Sequence, residues 1–142
     1  MTLDTNVLIA YVISKHNNSV AKKVVTRSIT DDRLMLTDII RDECLAYTRK
    51  PGARVSWKTM DEKLKQICQD VIELKPIPCM NELLKKYKIR DPKDMKILYS
   101  VDMTDSVIIV TYDDDFLDGG VEGIKARIMH PKDYLEEVKE KQ

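Results

Sequence analysis

The side chains best able to do chemistry here are carboxylates, and their placement matters more than their number. Asp4 follows a short stub of expected strand, and Asp113, Asp114 and Asp115 follow VIIVT (Val107–Thr111), the most strand-like run in the chain. Both sets fall at carboxyl ends of expected strands, where ligands of open α/β sheets bind. Glu43 lies four residues after Ile39, three after Ile40 and four before Tyr47, which puts a carboxylate on the apolar face of a helix. Asp94, three before Ile97 and four before Leu98, repeats the arrangement. An inward carboxylate needs a cation, a set of donors or a raised pKa. Several at one edge repel by about 4 kcal/mol per pair at ~4 Å and an effective dielectric of ~20. Oxygen-rich groups of this kind are what Mg²⁺ or Mn²⁺ takes. Such ions activate water and steady the leaving oxygen in phosphodiester cleavage.

Each acid also has a structural use of its own. Asp4 can cap the helix that follows it. Asp91 before Pro92 is an N-cap with proline at N1, and Asp94 at N3 approximates a capping box. Asp113–Asp115 can form a solvated turn, and Glu43 can sit at a helix edge with its head in water. None of these uses explains why carboxylates end separate elements that should meet at one edge of one sheet.

Those elements alternate in type. A strand stub over Met1–Asp4 opens into a helix over Asn6–Ser14, and Val20, Ala21, Val24, Val25, Ser28 and Ile29 recur at helical spacing. Arg33–Leu36 reads as a short strand, with Thr37 as N-cap of a helix to about Thr48. Pro51-Gly52 breaks the chain in a loop over Arg49–Ser56. An amphipathic helix follows over Trp57–Ile72, unless Val71–Lys75 ends it in a strand. Short helices follow at Asn81–Tyr87 and from Asp91 to about Val101. Val107–Thr111 and Arg127–Met129 are strands, and Pro131 opens a last helix carrying Leu135 and Val138. Val107–Thr111 is β-branched and apolar on both faces, as suits a parallel strand between helices. The pattern predicts an α/β/α sandwich of three layers with a mainly parallel central sheet.

The length of 142 residues fits one domain, 1–142, with neither a linker nor an internal repeat. Lys+Arg and Asp+Glu are 24 each, so a globally basic nucleic-acid coat is excluded, though a local basic patch is not. Cys44, Cys68 and Cys79 lie far apart without a CxxC pair, which points to a reducing, cytoplasmic compartment rather than a metal–thiolate site. No apolar run reaches membrane-spanning length, and the short run Val7–Ile13 follows an acid instead of the basic residues of a signal peptide.

In order along the chain, LDTNVLIA (Leu3–Ala10), TDIIRDE (Thr37–Glu43), RDPKDMKIL (Arg90–Leu98) and VIIVTYDDDF (Val107–Phe116) resemble the PIN domain family, in particular its VapC-like toxins. The resemblance implies an α/β/α metal-dependent ribonuclease using one or two Mg²⁺ or Mn²⁺ ions. It places the acids of the family on Asp4, Glu43, Asp94 with Asp91 as a neighbour, and Asp113 with Asp115 close by. Asn6 and Thr111 match positions that orient those acids by hydrogen bonding. Relatives of this type usually pair with a small antitoxin protein and often form homodimers. Three features depart from the pattern. Met95 stands where relatives often carry another acid or asparagine, which leaves the ion count at one or two. Only three residues precede Asp4, and Tyr112 stands where relatives often have glycine, narrowing the mouth of the site.

A polyanion needs cations beside such acids. Arg41, Arg49, Lys50, Arg54 and Lys58, around the Pro51-Gly52 loop, are the RNA-binding candidates. Trp57 either stacks on a base or packs at its helix start. His16 and His130 lack metal-ligand spacing; the first reads as solvated and the second as a helix-entry residue. An aspartyl-nucleophile phosphatase would want a second Asp two positions after Asp4, where this chain has Asn6. The remaining alternatives share the fold: an RNA-processing nuclease outside a toxin–antitoxin system, or a catalytically weak scaffold that binds RNA or a partner.

Overall fold

A computed structural model describes residues 1–30 and 33–140; positions 31, 32, 141 and 142 of the expected 1–142 domain lie outside the described residues. In chain order the elements are β1 (Thr2–Leu3), α1 (Thr5–Ile13), α2 (Val20–Thr30), β2 (Leu36–Thr37), α3 (Asp38–Tyr47), α4 (Trp57–Ile67) and β3 (Val71–Ile72). Then come α5 (Met80–Lys86), a 3₁₀ turn (Pro92–Asp94), α6 (Met95–Met103), β4 (Ile108–Val110), α7 (Asp114–Leu117), β5 (Arg127–Met129) and α8 (Pro131–Glu140).

The strands pair in parallel. Thr2 and Leu3 register with Ile109 and Val110, and Ile108–Val110 register with Arg127–Met129. Leu36 and Thr37 register with Val71 and Ile72. One parallel bridge, Thr2 to Met35, joins the two groups, with the Met35 N–H donating to the Met1 carbonyl at 2.9 Å. The spatial order is therefore β3-β2-β1-β4-β5. The chain leaves β1 toward β2 on one side and returns through β4 on the other, so the crevice beyond Leu3 and Val110 is a topological switch point. Helices flank this central parallel sheet. Leu3, Val7, Ile40, Leu98, Ile109, Val110, Phe116 and Tyr134 are at most 1% exposed and tie the helices to the strands. Among the described residues, no helix is long and apolar enough to cross a membrane.

Differences from the expected boundaries have local causes. Asp4 is the N-cap of α1, so the helix starts at Thr5 rather than Asn6. The second strand is displaced to Leu36–Thr37 because Thr37 both ends β2 and caps α3, accepting from the Ile40 N–H at 3.3 Å. The long helix from Trp57 stops at Ile67, where Cys68 turns extended (φ −151°), and the β-branched pair Val71–Ile72 joins the sheet. The helix expected from Asp91 begins as a 3₁₀ turn, so α6 starts at Met95. DDFL (Asp114–Leu117) forms a short helix in place of a plain turn. Val107 stays outside β4 and is 71% exposed. Trp57 is the first residue of α4 and is 47% exposed.

Candidate active site

Asp4 leaves β1 at the switch point and is 5% exposed. Its Oδ1 accepts from the Thr5 N–H at 2.7 Å; its Oδ2 accepts from the Thr111 hydroxyl at 2.7 Å and from Asn6 Nδ2 at 3.3 Å. Thr111 follows β4, so this contact ties the ends of the two central strands together. The Thr111 hydroxyl oxygen also accepts from the Asp113 N–H at 2.9 Å. Asn6 Oδ1 accepts from the Tyr112 N–H at 3.2 Å. Asn6 and Thr111 thus hold Asp4 and the post-β4 turn in one network.

The other acids reach the same edge from separate elements. Glu43, on α3, accepts from the Thr5 hydroxyl at 2.6 Å. Asp113 caps α7, taking the Asp115 N–H at 2.9 Å, and Asp91 caps the 3₁₀ turn, taking the Lys93 N–H at 3.0 Å. The structural uses of Asp4, Asp91 and Asp113 therefore coexist with their convergence. Asp94 differs: it stands before α6 and, among the described residues, makes neither a capping bond nor an ion pair. Carboxylate oxygens of Asp91, Asp94 and Asp115 all lie within 4.8 Å of one another. The tightest oxygen group is thus not the expected quartet Asp4, Glu43, Asp94 and Asp113; Asp94 belongs to both sets. Met95 is turned away, 2% exposed in the core.

The electrostatics bind the two sets together. Burial raises the Asp94 pKa, and the charges of Asp113, Asp4, Asp91 and Asp115 add to it, up to about 7. Burial also raises Asp4, to about 6; the Thr111 and Thr5 hydrogen bonds oppose the rise, and Glu43 and Asp113 add to it. Six carboxylates therefore share one negative field. An all-oxygen donor set with an unpaired carboxylate at its centre fits a hard divalent cation.

Two residues at this edge were not singled out from sequence. Thr5 orients Glu43, and Arg90 reaches Asp115 at 3.2 Å and Asp118 at 3.5 Å. Their signal was adjacency alone: Thr5 lies inside the LDTN block and Arg90 directly precedes Asp91-Pro92. The expected basic set divides. Arg41 lines a small cleft with Asp61, Leu64 and Val71 and pairs with Asp42 at 3.6 Å, so it stands apart from the loop. Arg49, Lys50 and Lys58 are exposed, without an ion pair among the described residues. Arg54 lines a depression that also includes Tyr112. His16 is exposed, and His130 Nδ1 accepts from the Lys132 N–H at 3.1 Å at the entry to α8.

The PIN domain family model matches residues 1–121 of the 142, and the chain belongs to that family. PIN domains are α/β proteins and are generally metal-dependent nucleases that act on RNA, typically with Mg²⁺ or Mn²⁺. A comparison with curated proteins gave no match.

Proposed function

We propose that this chain is a metal-dependent endoribonuclease whose Asp4, Glu43, Asp94 and Asp113, with Asp91 and Asp115 beside them, hold Mg²⁺ or Mn²⁺. The observation that carries this reading is Asp94, a half-buried carboxylate with no hydrogen bond or ion pair among the described residues, beside four neighbours of like charge. Such a group weakens the fold unless a cation completes it. Its membership of both acidic sets is the arrangement that two ions would share.

When bound, the divalent cation supplies Lewis-acid polarisation of a phosphodiester oxygen and lowers the pKa of water toward neutrality. The chain supplies order. Three donors fix the Asp4 carboxylate, Thr5 fixes Glu43, and Asn6 ties α1 to the turn bearing Asp113. Asp94 remains free to take a ligand. Arg54 and the exposed cations Arg49, Lys50 and Lys58 offset the negative field toward incoming phosphates; Arg41 is the least suited of the predicted set. The described residues are read as one domain, a reading supported by β5 pairing with β4 and α8 packing on α2, since β5 and α8 lie beyond the matched stretch. The VapC-like blocks support the finer role of a cytoplasmic toxin, with a small antitoxin and a homodimer as its partners.

Purified protein should cut single-stranded RNA with Mg²⁺ or Mn²⁺, leave 5′-phosphates and 3′-hydroxyls, and stop in EDTA. Asp4→Asn should not cut; unchanged turnover in that variant would contradict the assignment. Induced expression should arrest growth for the wild type and not for Asp4→Asn. Normal growth despite an active enzyme would instead indicate RNA processing.

A further inference from the structure

The sequence concentrates attention on the Pro51-Gly52 loop, yet two depressions, of which only the first includes a residue of that loop, Arg54, extend a cationic lining beyond it. The first, about 630 Å³, is lined by Lys15 and Arg54, the rings of His16 and Tyr112, and apolar Ile13 and Val20. Tyr112 connects it to the acids. It lies between Thr111 and Asp113, and its N–H is held by Asn6 at 3.2 Å. The second, about 450 Å³, lies between α2 and α8, where Lys22, Lys23 and Lys139 border apolar Leu135 and Val138. Segment 14–23 borders both. No acid lines either depression among the described residues, although acids equal bases at 24 each in the chain.

We propose that the two depressions form one track for the single-stranded RNA that flanks the scissile phosphate, leading from the acids across Tyr112 and over the first turns of α2. This rests on the nuclease reading above and deepens it. Cations beside apolar and aromatic surface suit a single strand, because unpaired bases offer faces to stack while the backbone offers phosphates. A duplex would present phosphates and hide its base faces. The track also places positive potential next to an acidic site that would otherwise repel a polyanion. The 11 residues of α2 span about 16 Å, so the track reaches well past the bond to be cut.

The test is fluorescence anisotropy in EDTA with single-stranded RNAs of about 4 and about 12 nucleotides, alongside Mg²⁺-dependent cleavage of both. The double variant Lys22→Glu/Lys23→Glu should bind the longer RNA at least ~10-fold more weakly and the shorter within ~2-fold. Its salt slope should fall by about 1.4, from two lost phosphate contacts at ~0.7 each. Lys139→Glu, on the opposite helix, should give the same length-selective loss at smaller size. Lys85→Glu/Lys125→Glu, outside both depressions, carries the same charge change and should have no such effect. An active wild type whose Lys22→Glu/Lys23→Glu variant keeps its affinity and slope would overturn the track alone. Equal losses in the control pair would also overturn it. A wild type that neither binds nor cuts either RNA would overturn the nuclease reading and the track together. Binding of poly-glutamate at this surface that the longer RNA fails to displace would assign it to an acidic protein and overturn the proposal.

Discussion

The two ends of the central strands treat buried polar groups in opposite ways. At the amino edge, the Thr2 and Ser106 hydroxyls meet at 2.7 Å, Ser106 meets Thr104 at 2.8 Å, and Thr104 donates to the Ser100 carbonyl at 2.9 Å. All are neutral, buried and paired. At the carboxyl edge, two residues beyond Thr2, Asp4 enters a field of six carboxylates, and Asp94 has no hydrogen-bond or ion-pair partner among the described residues. The first edge is built for the fold alone. The second opposes it, and is sustained by the packed core. Strain concentrated at one edge of an otherwise satisfied sheet marks a site.

Substitutions should separate the two edges. The largest effect is expected from Asp94→Asn, with loss of at least ~10³-fold in Mg²⁺-dependent RNA cleavage. Thr111→Val, which frees Asp4 without removing a carboxylate, should lower cleavage by about 10–100-fold in the same assay. Ser106→Ala should leave cleavage unchanged while lowering stability by about 1–3 kcal/mol in urea titration, because it strands the buried Thr2 hydroxyl. A Ser106→Ala variant that loses activity at unchanged stability would break the contrast.

Smaller effects concern the metal-free protein. Asp94→Asn should melt about 2–4 °C higher than the wild type in EDTA, since it removes a repelled charge. The wild type should also depend on pH. Asp94 rises from 3.8 to about 7 in the fold, so the folded chain keeps a proton that the unfolded chain has released. Stability in EDTA should therefore be greatest in acid and decline as the pH climbs from about 4 to about 7. The decline should shrink in Asp94→Asn and when Mn²⁺ is added. A flat profile would show that the carboxylates do not share a field.

Much of this arrangement was legible in the residues. Asp4 and the Asp113–Asp115 run stood out at strand ends and Glu43 and Asp94 on helix faces, the family resemblance singled out Asp113, and the structure brings Asp4, Glu43, Asp94 and Asp113 to one edge. Strand boundaries were less legible, because two-residue strands such as Leu36–Thr37 are fixed by a cap and a neighbour rather than by their own pattern. The closeness of Asp91, Asp94 and Asp115 depends on a 3₁₀ turn and a four-residue helix, neither of which has a periodic signature. The basic surface was the least legible. Arg41 and Arg49 are near in sequence, yet Arg41 turns to a cleft with Asp61 and Val71. Lys22, Lys23 and Lys139 meet only because α2 packs on α8.

The account turns on whether the acids share a divalent ion, and calorimetric titration of metal-free protein with Mn²⁺ measures that directly. At about pH 8, above the Asp94 value of about 7, the wild type should bind, and Asp94→Asn should lose most of the heat while remaining folded. Absence of Mn²⁺ binding by the wild type, or equal binding by both proteins, would contradict the account.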